Sequence, residues 1–153
     1  MTEEDNPGVD WPPPIYPLAA LGLGYLLDKY LPWALVLPGR LPAAVFLLAA
    51  AFLVMGWALW AFRRHQTTVL PHKANRALIT DGPFRYTRNP IYLAFLLLQA
   101  AVALALANAW LLLLLPVTWA CLRYRVIKLE EAYLARRYGK VFTAYCARVR
   151  RWL

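Results

Sequence analysis

Residues 41–62 read LPAAVFLLAAAFLVMGWALWAF, without a single charge, and Arg63-Arg64-His65 follow directly. As an α-helix this run extends ~33 Å, enough to cross a ~30 Å hydrocarbon core, and a basic close is what an interface at the cytosolic headgroups favours. The rest of the composition agrees. Of 153 residues, 61% are hydrophobic and only 16% are charged, well outside the usual balance of a soluble domain. The expected fold class is therefore an all-α integral membrane protein, and the length leaves room for a single domain over 1–153.

Working outward, an acidic N-terminal tail (1–12) lacks the features of a cleavable signal peptide, so the apolar run from Pro13 to Leu31 is expected to persist as a first helix. With the second it makes a pair over 13–62. The apolar stretch 91–122 would be ~48 Å as one helix, too long for one crossing. Two short helices joined by a tight turn at Asn108 fit better, with Pro116 bending the second. That makes four transmembrane helices, the last two a hairpin. Beyond them, 123–153 reads as two short amphipathic helices near the membrane surface, interrupted at Gly139. Gly22, Gly24 and Gly56 would permit close helix contact.

Charge sets the orientation. The 17 Lys and Arg fall as two at Lys29 and Arg40, six from Arg63 to Arg88 and nine from Arg123 to Arg151. By the positive-inside rule the 63–90 loop and the 123–153 tail are cytosolic. Two crossings separate them, and counting back two more makes the N-terminus cytosolic as well. The net charge of +9 is expected to meet anionic lipids rather than nucleic acid, because the basic clusters flank apolar runs. Cys121 and Cys146 have no metal-ligand spacing, and neither a metal site nor a disulfide is expected.

Two segments exceed what spanning a membrane requires. The loop reads TTVLPHKANRALITDGPFRYTRNPIY over 67–92. Asp81-Gly82-Pro83 is a turn signal, and Asn89-Pro90 suits a helix start whose N–H groups would meet a carboxylate. An ordinary cytosolic loop with positive-inside arginines accounts for these features equally well. The second segment places Arg123, Arg125, Glu130 and Glu131 just after the fourth helix, where a surface ion pair is the plain alternative.

Taken together, Leu78-Ile79-Thr80-Asp81-Gly82-Pro83-Phe84-Arg85-Tyr86-Thr87-Arg88-Asn89-Pro90-Ile91-Tyr92, then Glu130-Glu131, then Tyr138-Gly139 and Tyr145 resemble the isoprenylcysteine carboxyl methyltransferase family and its phospholipid-methyltransferase relatives, over roughly 67–153. The resemblance implies an S-adenosylmethionine-dependent methyltransferase, with a cofactor pocket built by the loop and C-terminal helices on the cytosolic face. By motif position it assigns Arg76, Ala77, Leu78 and Ile79 to the strand before the turn, Phe84 to the aromatic residue at the cofactor, and Asn89, Pro90, Ile91 and Tyr92 to the helix start. Glu130 is the implied acid at the cofactor, Glu131 its neighbour, and His72 a residue of the entrance.

Eukaryotic members carry His where this chain has Asn89. Asn does not titrate near neutral pH, so a cofactor-binding role fits the position better than a general base. Those members also have further helices, which separates this chain from their isoprenylcysteine substrate and points to the small prokaryotic type, in the inner membrane. The acceptor is then a carboxylate, thiol or amine on a lipophile entering from the bilayer. Arg125 is placed to orient an anionic acceptor, whereas lipid-headgroup contact is preferred for Arg123. A non-catalytic membrane scaffold or accessory subunit that retains the fold is the competing reading. A transporter is disfavoured by the scarcity of ionisable groups in the apolar segments, where Gln99 needs no more than an interhelical hydrogen bond.

Overall fold

The computed structural model describes residues 7–66 and 78–153, and among them every regular element is helical. The order is α1 (Ile15–Tyr30), α2 (Arg40–Arg64), a 3₁₀ turn at Gly82–Arg85, α3 (Pro90–Ala105), α4 (Ala109–Leu113), α5 (Leu115–Cys121), a π-helical run at Leu122–Ile127, α6 (Lys128–Tyr138) and α7 (Lys140–Arg148). Two helical runs are long and apolar enough to cross a membrane: α2, with 25 residues, and the 30 residues Ala109–Tyr138, in which α4, α5, the π run and α6 follow one another. At 16 residues each, α1 and α3 extend only ~24 Å.

The packing is inverted relative to a water-soluble bundle. α2 buries Ala44, Ala51, Ala58 and Ala61 while Val45, Phe46, Phe52, Leu53, Trp57 and Trp60 lie exposed. Its extended partner is α3, whose buried residues include Ala94, Ala101 and Ala103. Small residues between helices and large apolar ones outside suit a lipid solvent, which makes no hydrophobic demand that bulky groups turn inward.

The turn expected at Asn108 is present. Its Oδ1 accepts from Leu111 N–H (3.1 Å), capping α4, and its Nδ2 donates to the Gly24 carbonyl on α1 (3.1 Å). The left-handed position belongs to the preceding residue, Ala107 (φ 54°). The same turn meets the α1–α2 loop through an isolated bridge between Ala34 and Asn108, a Trp110 Nε1 bond to Leu31 O (2.8 Å) and Arg40 Nη1 bonds to Leu104 O (2.9 Å) and Ala105 O (2.8 Å). These two connections therefore occupy one end of the molecule. Gln99, 1% exposed, donates to Leu111 O (3.1 Å), the interhelical bond expected of it.

Pro116 has the expected effect: the helix is interrupted at Leu114, two residues before it. The tail differs from the sequence reading. No new helix begins at Arg123; the run continues from α5 through the π turn into α6, since nothing between Val117 and Tyr138 is Gly or Pro. Gly139 then ends α6 with φ 50° and ψ −123°, a conformation open to glycine alone.

Of Gly22, Gly24 and Gly56, only Gly24 is a close-approach site. A Cβ there would stand 2.2 Å from Leu111 Cδ2 and 2.8 Å from its Cγ, whereas nothing lies within 4 Å of Gly22 or Gly56. Because Leu111 is itself buried, Gly24→Ala should destabilise the protein by about 1–3 kcal/mol through overpacking. Gly22→Ala should be neutral or slightly stabilising. Thermal unfolding of both variants in detergent checks the contrast.

Candidate functional site

At the opposite end of the bundle two apolar clusters organise the loop and the tail. The first holds Ala61, Ile79, Phe84, Phe142, Tyr145 and Val149, with Leu78 packed against it. Gly82, at φ 56°, brings the turn against Trp57 and Ala61 of α2, and Asp81 Oδ1 pairs with His65 Nε2 at 2.8 Å. The Phe84 ring meets Phe62 edge-on at 5.6 Å, and its carbonyl accepts from Tyr145 Oη (2.8 Å). Burial pushes the Tyr145 phenol well above the usual tyrosine range, with Arg88 opposing, so the hydroxyl stays a donor. Leu78, Ile79 and Phe84 thus fasten the end of α2 to α7.

The second cluster holds Val9, Tyr92, Leu122, Val126 and Ile127, with Tyr16, Ile91, Phe95, Leu129 and Trp152 packed on it. Its polar centre is one hydrogen bond: Tyr92 Oη donates to Glu130 Oε1 at 2.6 Å, across 38 residues of sequence. Tyr92 is on the first turn of α3 and Glu130 on the first turn of α6. The π run works here by widening the turn. Leu122, Val126 and Ile127 all reach zero exposure, and Glu130 follows on the side of Tyr92. Burial raises the Glu130 carboxyl to about 7; the Tyr92 hydrogen bond pulls it down and the charge of Glu131 pushes it up.

Glu131 does something different. It bonds Arg151, whose Nε lies 3.0 and 3.1 Å from its two oxygens, and Arg88, whose Nη2 lies 3.1 Å from Oε1. Asn89 is buried; its Nδ2 donates to Arg151 O (2.9 Å) and its N–H to Thr87 Oγ1 (3.2 Å). Asn89 makes no side-chain cap on α3, and Pro90 has no N–H to give. The first amide to find a backbone partner is Leu93, bonded to Asn89 O at 3.0 Å, so Ile91 and Tyr92 present theirs without a backbone acceptor among the described residues.

The structure therefore brings Asn89, Pro90, Ile91, Tyr92, Glu130 and Glu131 together and keeps Leu78, Ile79 and Phe84 in the other cluster. His72, Arg76 and Ala77 lie outside the described residues. Arg125 is exposed on the π run. Arg123 stacks on Trp119 (5.3 Å) and Tyr124 (5.7 Å), as suits an interfacial anchor. Sequence reasoning missed the engagement of Glu131 by Arg88 and Arg151. Arg88 stands inside the motif and offered a signal; Arg151, among the nine basic residues of the tail, offered none. Among the described residues no His, Cys, Asp and Glu group could hold a metal ion.

The atoms at this junction suit a small zwitterion. Glu130 Oε2 takes no hydrogen bond among the described residues, leaving a carboxylate oxygen for an ammonium or hydroxyl donor. The two amides of α3 suit a carboxylate. No curated protein and no solved structure matches this chain. A sequence model of the phospholipid methyltransferase family matches residues 40–141, which takes in α2, the loop, the hairpin, both glutamates and the start of α7. With that match over about two thirds of its length, this membrane-type helical chain belongs to the phospholipid methyltransferase family, a family of methyltransferases acting on membrane lipids.

Proposed function

We propose that the chain transfers a methyl group from S-adenosylmethionine to a lipophilic acceptor at the cytosolic face of the membrane. The observation that carries this reading is the Tyr92–Glu130 hydrogen bond, which joins the start of α3 to the start of α6 beside unengaged acceptor and donor groups. S-Adenosylmethionine would supply an electrophilic methyl on its sulfonium. The protein's part is binding, alignment and exclusion of water, which can supply much of the acceleration for an in-line displacement. Glu130 would hold the ammonium or hydroxyls, with Tyr92 orienting its carboxylate. The Ile91 and Tyr92 amides would hold the carboxylate. No side chain here is assigned as a strong base, and an acceptor that is already a carboxylate or thiolate requires none.

The membrane reading proposed with it has α1, α2, α3 and α4–α5 as four crossings. It is supported by the alternation of connections between the two ends and by the clustering of basic residues at the loop-and-tail end. Arg125 would face the acceptor there. It is exposed and makes no ion pair among the described residues, whereas Glu131 is already engaged by Arg88 and Arg151.

Three outcomes test these readings. Glu130→Gln should weaken S-adenosylhomocysteine binding by ~1.5–3 kcal/mol, as for a lost charge-assisted hydrogen bond. With the carboxyl at about 7, binding that needs the ionised form strengthens as pH rises. The wild-type affinity should therefore be about tenfold lower at pH 6 than at pH 8, and the Gln variant should show a flat profile. Calorimetry at both pH values checks magnitude and sign together.

Arg125→Ala should lower kcat/KM for an anionic acceptor by roughly ten- to a hundredfold while S-adenosylhomocysteine affinity holds, with Arg125→Lys restoring only part. Equal loss of cofactor affinity would make Arg125 part of the pocket instead.

For topology, single cysteines replacing Thr80 and Thr143 in a background lacking Cys121 and Cys146 should react with an impermeant thiol reagent from the same side. One replacing Val36 should react from the other side. Labelling of Thr80 and Thr143 positions from opposite faces would end the four-crossing reading.

A further inference from the structure

The segment after α7 does not trail away from the bundle. The Arg150 carbonyl accepts from Arg88 N–H (3.0 Å), and the Arg151 carbonyl accepts from Thr87 Oγ1 (3.2 Å) and Asn89 Nδ2 (2.9 Å). Thr87 Oγ1 in turn accepts from the N–H of Asn89. Every one of these bonds falls on the three residues before Pro90, where α3 begins. The Arg151 side chain then reaches Glu131 through two nitrogens, and the next residue, Trp152, packs on the cluster that contains Tyr92. The ion group is largely enclosed: the side chains of Arg88, Glu131 and Arg151 are 13%, 17% and 29% exposed.

Glu130 and Glu131 are adjacent on α6, so they point ~100° apart and cannot serve the same partner. Tyr92 and Arg88 are likewise on either side of the Asn89-Pro90 helix start. Two struts therefore connect α6 to this one point in the chain, Glu130 to Tyr92 and Glu131 to Arg88. Arg151 bonds both elements that the second strut joins, α6 through its guanidinium on the Glu131 carboxylate and the α3 start through its carbonyl on Thr87 and Asn89, the neighbours of Arg88. An enclosed, forked contact of this kind fixes separation and angle in a way that a surface ion pair does not.

We infer that Arg151 is a positioning residue for the methyl-donor site: through Glu131 and Asn89 it fixes the spacing between the start of α3 and Glu130. This assignment rests on the reading of Glu130 and the α3 start as the S-adenosylmethionine site. Arg151 itself makes no contact with the donor. Removing its side chain leaves Glu130 and Tyr92 in place chemically but lets their supports drift, so donor affinity falls although no donor-binding atom has been deleted.

The test is calorimetric binding of S-adenosylhomocysteine to the purified full chain in detergent, with thermal melting on the same samples. Arg151→Ala should weaken binding roughly tenfold, within the range by which indirect supports modulate a site. Arg151→Lys, which keeps the charge and loses the fork, should weaken it only about two- to threefold. Adding Glu131→Gln to Arg151→Ala should cost little more than the worse single change, because both act on one contact. Thr87→Val, which removes the Thr87 Oγ1 bonds to the Arg151 carbonyl and from the Asn89 N–H without touching the ion group, should lower affinity several-fold, and it decides the matter if Arg151→Ala does not fold. A folded Arg151→Ala or Thr87→Val that melts lower yet binds S-adenosylhomocysteine like the wild type would overturn the assignment and leave Arg151 a tail anchor. Failure of the wild type itself to bind would overturn the donor site first, and this role with it.

Discussion

The close approach of α2 to its neighbour α3 governs where everything at the loop-and-tail end can sit. In a lipid solvent, bulky apolar side chains gain nothing by turning inward, so contact between helices depends on how near the backbones can come. Ala44, Ala51 and Ala58 recur every seven residues on the buried face of α2, and that period keeps one stripe against a partner over the whole helix. Gly24 performs the same service between α1 and α4, where Leu111 fills the space of the missing Cβ. With the helix axes held this close, the last turn of α2 and the first turn of α3 emerge side by side. The described part of the intervening loop, residues 78–89, packs back onto this end.

That constraint divides the loop into two kinds of residue. Asp81 to Phe84 look inward to α2 and α7: Gly82 against Trp57, Phe84 against Phe62, and a carbonyl taken by Tyr145. Arg88 to Tyr92 look to α6 and the tail. A motif continuous in sequence is thus divided between two separate apolar clusters. For Phe84 the consequence is concrete. Its ring, at 8% exposure, packs in the first cluster against Phe62, and Tyr92 is the aromatic at the polar junction of the second.

How far the sequence foretold this depends on the range of the interaction. Features set by local chemistry were legible: the uncharged span of α2, the turn at Asn108, the break ahead of Pro116 and the stop at Gly139. Each is decided within a few residues by apolar length, a capping side chain or a backbone restriction. The pairing of the loop with the glutamates was legible only through family resemblance, since 38 residues separate Tyr92 from Glu130 and no periodicity links them. The continuation of the helix through Arg123 was misread because charge was taken to mark a new element. Charge marks where hydrocarbon ends, and a helix passes that boundary unbroken when its residues still favour it. Arg151 was invisible because a basic tail reads alike at every position until the fold selects one residue.

The two glutamates show how one acidic pair can serve opposite needs. Seventeen basic residues against eight acidic ones make an unpaired carboxylate at this end easy to neutralise, and a carboxylate ringed by arginines would present little charge to a ligand. Glu131 takes the arginines. Its two guanidinium partners engage both of its carboxylate oxygens. Glu130, one residue on the helix before it, is paired with a phenol instead of a cation. A neutral donor orients the carboxylate without cancelling its charge, and burial lifts its proton affinity toward neutrality. Swapping the partners would give the reverse: an arginine on Glu130 would fill the position that the proposed function gives to an ammonium. On the proposed reading of Glu130 as the donor-binding acid, segregating the arginines onto Glu131 would keep Glu130 receptive to a cationic group.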